Sequence, residues 1–201
     1  MQTILVWDWP VRIGHWLLAG AFALAWLTGD SEEWRLVHAF AGGTVAGVVL
    51  FRLAWGVIGT HHARFTSFIR GPRAVLLELA ALLNRQPLHS TGHNAPGGWA
   101  ILALLGLGLL TAASGWAVYQ EAGGEWLEEA HEVLANGMLL VVLLHVAGVV
   151  TGSLAHGENL VRAMFTGRKT GQPGEAIAGS RPLAALVLLG WAAAVAWWLA
   201  R

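Results

Sequence analysis

The chain has 201 residues, of which 56% are hydrophobic and only 12% charged, about half the charged share usual in soluble domains. Twelve basic residues balance twelve acidic ones, so bulk charge gives no reason to expect a nucleic-acid partner. There is no cysteine, which excludes disulfides, thiolate-held metals and cysteine-ligated iron–sulfur clusters. The composition is that of an integral membrane protein in contact with lipid.

The first apolar run covers residues 10–28, PVRIGHWLLAGAFALAWLT. Asp8 reads as its N-cap and Pro10 as its first-turn proline. It carries Arg12 and His15 and lacks a clear small-residue cleavage site, so it reads as a span rather than a cleaved leader. The second run is 38–58, HAFAGGTVAGVVLFRLAWGVI. A loop follows over 59–97, and within it GPRAVLLELAALL (71–83) reads as a short helix opened by Pro72 and lying in the membrane interface. The third run is 98–119 and the fourth about 131–154. Residues 166–181, TGRKTGQPGEAIAGSR, have linker composition. The fifth run, 182–200, is opened by Pro182. Each run is close to the roughly 20 residues needed to cross ~30 Å of hydrocarbon, where an open chain satisfies its backbone only as a helix.

Basic residues predict the orientation. Arg64, Arg70, Arg73 and Arg85 lie between the second and third runs, and Arg162, Arg168, Lys169 and Arg181 follow the fourth. The opposite loops hold one basic residue, Arg35, against Asp30, Glu32, Glu33, Glu121, Glu125, Glu128 and Glu129. The N-terminus is therefore predicted to be cytoplasmic and the acidic loops to face outward. Trp9, Trp55, Trp99, Trp126, Trp197 and Trp198 fall near helix ends, as an interfacial belt requires.

Of nine histidines, His15, His38, His131 and His145 lie within or at the start of spans, where polar side chains are costly and face the bundle interior. His131 and His145 bound the stretch HEVLANGMLLVVLLH, 14 residues apart. At ~100° and ~1.5 Å per residue they share a face and stand roughly 21 Å apart along the axis. Depth then pairs His15 with His145 and His38 with His131. Two imidazoles meeting from different helices suit a six-coordinate haem iron, an arrangement that favours electron transfer. A single zinc shared by all four is excluded by the distance between layers. Gly42, Gly43 and Gly47 after His38, and Gly106, Gly108 and Gly115 in the third run, would let backbone approach a flat macrocycle; helix–helix contact is their alternative use.

Arg52 stands 14 residues after His38, near the level of the inner pair, and Arg12 about one turn before His15. Each either pairs with a haem propionate or snorkels to the interface. His61, His62, His89 and His93 are expected to be solvated in the loop, and His156 to sit at the membrane exit, where it either lines a quinone pocket or is simply interfacial.

Several stretches carry a family resemblance. VWDWPVRIGHW (6–16), HAFAGG at His38 running on to FRLAWGVIGTHHARF (51–65), FIRGPRAV (68–75), GHNAPGG (92–98), AHEVLANGMLLVVLLH (130–145) and HGENLVRAMFTGRK (156–169) resemble the prokaryotic cytochrome b561 family, within a wider group that includes the cytochrome b subunits of nickel–iron hydrogenases. The resemblance implies an all-α integral membrane four-helix bundle binding two b haems, with His15, His38, His131 and His145 as ligands. It covers about residues 5–170, so 182–201 is an additional transmembrane helix, expected at the periphery as an anchor or partner contact. Residues 1–165, including the loop 59–97, would form the di-haem domain, and 166–181 a linker.

The function expected is transmembrane electron transfer in a bacterial inner membrane, between the quinone pool and a periplasmic redox protein. The acidic outer loops suit a basic partner such as a c-type cytochrome; a hydrogenase or dehydrogenase subunit is the other candidate. A superoxide:quinone oxidoreductase ranks lower, because an anion would be repelled by those loops. A haem-free anchor or transporter is the remaining alternative.

Overall fold

The computed structural model describes residues 2–201 except Arg85 and Pro87. Arg85, counted above in the basic loop, thus lies outside the described residues. Among the described residues five helices are long and apolar enough to cross a membrane. They are α1 (Trp9–Thr28), α2 (Arg35–Ile58), α5 (Ala95–Tyr119), α6 (Glu125–His156) and α8 (Pro182–Leu199). Short helices α3 (Phe65–Phe68) and α4 (Pro72–Leu83) lie between α2 and α5, and α7 (Leu160–Thr166) follows α6.

The termini of these helices follow from single residues. Asp8 caps α1 through Val11 N, with Pro10 in the first turn, and Asn94 caps α5 through Gly97 N. Helix α6 begins earlier than its apolar run suggests, because Glu125 and Glu128 suit the positive end of the helix dipole. Its 32 residues span roughly 48 Å, so an end stands clear of the hydrocarbon. It stops at Gly157, whose φ of 62° favours glycine.

Asp8 does more than cap. It is fully buried, and besides Val11 N it accepts from Trp55 Nε1 at 3.0 Å and Thr60 Oγ1 at 2.7 Å. One carboxylate thereby joins the start of α1 to the end of α2. Trp55 is therefore turned inward to Asp8 rather than serving the interfacial belt, whereas Trp9, Trp99, Trp126, Trp197 and Trp198 are exposed.

The stretch 166–181, expected as a linker, is instead paired. Strand β2 (Arg168–Gly171) runs antiparallel to β1 (Gln2–Leu5), with Gln2 opposite Gly171 and Leu5 opposite Arg168. Val6 N and Trp7 N also donate to Gly167 O, at 2.8 and 3.0 Å, and Ile177 N donates to Leu5 O. Gly167 has φ 76°, and a Cβ there would stand 2.7 Å from Trp7 O. Ile4, Val6, Trp7, Val11, Ala63 and Ala163 form a small core beneath this clasp. Backbone pairing, which side-chain composition does not report, orders the segment.

Helix α8 carries no histidine and lies on the outside of α1 and α2, with Leu183, Leu186, Val187 and Trp198 facing outward. Its seam with α2 is tight. A Cβ on Gly43 would stand 2.7 Å from Ala196 Cα, and one on Gly47 2.8 Å from Ala192 Cα. Two small residues four apart thus meet two others, the close-approach motif of membrane helices. Trp191 Nε1 donates to Gly47 O at 3.0 Å across the same seam. Gly43 and Gly47 therefore serve helix contact, not a macrocycle.

Two substitutions test these joints. Asp8→Ala strands the Trp55 and Thr60 donors and should cost roughly 2–5 kcal/mol. Gly47→Leu overpacks the α2–α8 seam and should cost about 1–3 kcal/mol. Both should lower the thermal unfolding midpoint in detergent, and an unchanged midpoint would contradict the assigned contact.

Candidate functional site

Helix α6 packs on α5 and, near its end, α7. Of its 32 residues only Met138 and Gly152 are buried. Its inner face instead looks toward α1 and α2, and histidine rings meet across the space. His15 on α1 and His145 on α6 have ring centres 6.4 Å apart. His38 on α2 and His131 on α6 have ring centres 6.1 Å apart. Both pairs are those expected from depth, and the 14-residue spacing on α6 keeps them in separate layers.

The rings are oriented by backbone carbonyls. His38 Nδ1 lies 2.9 Å from Ala25 O. His131 Nδ1 lies 3.0 Å from Thr111 O and 3.1 Å from Ser114 Oγ. A proton on Nδ1 donates to the carbonyl and leaves the Nε2 lone pair free, the tautomer a metal needs. His15 packs edge-on against Trp16 at 4.9 Å, and its buried Nδ1 has no partner among the described residues. Thr111, through its carbonyl, and Ser114, through its hydroxyl, are site residues that the sequence reading missed; Ser114 amid LLTAASGW was the available signal, whereas a backbone carbonyl leaves none.

The arrangement fits a b-type haem in each layer. Imidazole nitrogens bind a transition-metal ion at about 2 Å, and each ring centre sits about 1 Å further back, so two imidazoles on one iron have centres about 6 Å apart. Both pairs have this separation. Among the described residues no three His, Cys, Asp or Glu side chains gather as a metal cluster, so pairing rather than a tetrahedral site is what the donors offer. Gly42, one turn beyond His38 on the same face, has no atom within 4 Å of where a Cβ would stand, and Gly106 is equally open. Gly115 lies against His131, whose Cε1 would be 2.7 Å from a Cβ. Gly108 packs instead on Val49 and Met138.

The two arginines part company. Arg52 points inward: its guanidinium lies over Phe65 at 5.2 Å, and its buried Nη1 has no partner among the described residues. Arg12 lies over the exposed Trp9 ring at 4.3 Å, with Nε 3.4 Å from Met164 O. That placement matches the snorkelling alternative for Arg12.

Two loop histidines expected in solvent are packed. His62 is 7% exposed, with Nε2 2.7 Å from Glu175 O. Its basicity is lowered, first by burial. His93 lies against Trp7 at 4.5 Å and Phe68 at 5.0 Å. The N-terminal clasp covers both, and that clasp was invisible in composition. His61 and His89 are exposed as expected. His156 ties the end of α6 to the loop, with Nδ1 2.9 Å from Gly152 O and Nε2 3.2 Å from Leu88 O.

The profile of the prokaryotic cytochrome b561 family matches residues 6–167. A probable Ni/Fe-hydrogenase B-type cytochrome subunit of Rhizobium leguminosarum bv. viciae is 25% identical, with 84% of this chain and 89% of that protein aligned. Proteins of the same description from Rhodobacter capsulatus and Cupriavidus necator are each 24% identical; the alignments cover 84% and 85% of this chain and 82% and 88% of those proteins. No solved structure matches.

Gly115→Val places a branched side chain where the His131 ring stands. The variant should bind less haem per protein than the unaltered chain, as read by the pyridine haemochromogen assay. Full haem content would show that this ring position is not needed.

Proposed function

The chain belongs to the prokaryotic cytochrome b561 family, and we propose that its membrane electron transfer runs through two b-type haems, one held by His15 and His145 and the other by His38 and His131. The observation that supports this is the pair of imidazole separations, 6.4 and 6.1 Å, in two layers of one helix. When bound, haem supplies one-electron chemistry, its iron alternating between ferrous and ferric. The protein's own residues hold and insulate it. Ala25 O and Thr111 O fix the His38 and His131 rings. Holding each haem by two imidazoles would favour electron transfer over ligand activation. Arg52 supplies an unspent cation for a carboxylate of the cofactor.

The domain in this reading is 1–165, closed by the clasp to 168–171, with 182–201 as an added membrane helix. The N-terminus lies in the cytoplasm of a bacterial cell and the chain crosses the inner membrane. The basic segments then face inward, and Asp30, Glu32, Glu33, Glu121, Glu125, Glu128 and Glu129 face outward. One end exchanges electrons with membrane quinone. The other meets a periplasmic redox protein: a hydrogenase subunit, as the names of the relatives suggest, a dehydrogenase subunit, or a basic c-type cytochrome drawn by the acidic loops.

Purified protein should show a b-type reduced-minus-oxidised spectrum with about two haems per chain. His131→Ala and His145→Ala should each lower that ratio to about one. A ratio of one in the unaltered chain would refute the second site. The reduced protein should be reoxidised by a quinone analogue, and superoxide should fail to reduce the oxidised protein; rapid reduction by superoxide would favour a superoxide-oxidising enzyme.

A further inference from the structure

Around His93 the fold gathers basic side chains from separate segments. Arg52 comes from α2, His62 from the turn after it, His93 from the approach to α5, and Lys169 from β2. Two of these are matched. Lys169 donates to Ser90 O at 3.1 Å and stands 3.5 Å from Glu158. His62 is held at the carbonyl of Glu175. The nearby carboxylate, Asp8, has both oxygens engaged by Val11, Trp55 and Thr60.

Arg52 and His93 remain, and one ring joins them. Phe68 lies 6.0 Å from the Arg52 guanidinium and 5.0 Å from the His93 ring. Arg52 Nη1 is buried without a partner among the described residues. Burial, and then the charges of Arg52, Lys169, His145 and His62, hold the basicity of His93 well below its ordinary value. His93 is thus within electrostatic reach of both Arg52 and His145. A buried, unmatched guanidinium is costly, and a neutral imidazole beside it offers an N–H. A half-buried site with this donor set suits one anion of carboxylate geometry.

We propose that Arg52 and His93 form one carboxylate-binding pocket whose ligand is a propionate of the haem held between His15 and His145. The inference rests on that ligand reading. His93 is here a positioning residue: it ties the segment before α5, and the clasp packed on it through Trp7, to the cofactor.

The test follows haem transfer from the loaded, full-length protein to excess apomyoglobin, using haem and its dimethyl ester. The phase missing in His145→Ala identifies the relevant haem. In that phase His93→Ala should speed release of ordinary haem roughly tenfold, the effect of losing one hydrogen bond to an ionised group. Arg52→Gln should do the same or more. For the dimethyl ester, the unaltered chain should release faster and His93→Ala should add nothing. His62→Ala should leave both rates unchanged. Equal acceleration of haem and ester by His93→Ala would overturn the pocket, because the residue would then act without the propionate. If His145→Ala keeps every haem, the ligand reading itself falls, which is a separate outcome.

Discussion

A bilayer offers no water to a buried polar group, and four imidazoles in this chain are committed to that environment. Everything inside the bundle answers to them. Two find carbonyls for one ring nitrogen, at Ala25 and Thr111. All four direct their rings at a partner on another helix. The longest helix, α6, packs on α5 and α7 and is otherwise nearly unburied. A helix in a soluble bundle would bury a stripe of its own apolar side chains; here the corresponding stripe bears His131 and His145, roughly 21 Å apart along the axis. These two histidines meet the rings of His38 on α2 and His15 on α1.

The rest of the structure compensates. Helices α1, α2 and α8 form a tightly packed block, welded by Gly43 and Gly47 against Ala196 and Ala192. Val48 and Leu188 are buried in the same seam. A rigid block on one side lets the other side stay open without losing the register of His15 against His38. At the opposite end of α1, Asp8 binds α1, α2 and the turn beyond in a single set of hydrogen bonds. The histidines of α1 and α2 are thus held by joints that contain no histidine.

Most of this was legible in the sequence, for a physical reason. Spans announce themselves by length and hydropathy, and caps such as Asp8 and prolines such as Pro10 and Pro182 mark their starts. The histidine pairs follow from helical rise and the alternating direction of successive spans, so His15, His38, His131 and His145 could be placed in layers beforehand. What stayed hidden depends on contacts between distant segments. The glycines show this: six were candidates for haem contact, yet Gly43 and Gly47 face α8 and Gly108 faces Val49. A small residue states that something comes close, not what. Likewise TGRKTGQPG reads as linker because its order comes from backbone bonds to residues 2–5. The burial of His62 and His93 followed from that same unseen pairing.

The clasp also bears on how the protein is made. Residues 2–5 are synthesised before any of the five long helices among the described residues, but their partner strand, residues 168–171, comes after four of them. At the usual 5–20 residues per second, that interval is on the order of ten to thirty seconds. During it the N-terminal strand edge is unpaired, and His62 and His93 lack the cover that Trp7 and Glu175 later supply. The chain therefore passes through a stage with its spans threaded and its histidine-lined interior accessible from the end that the clasp will close. Strand pairing closes that stage.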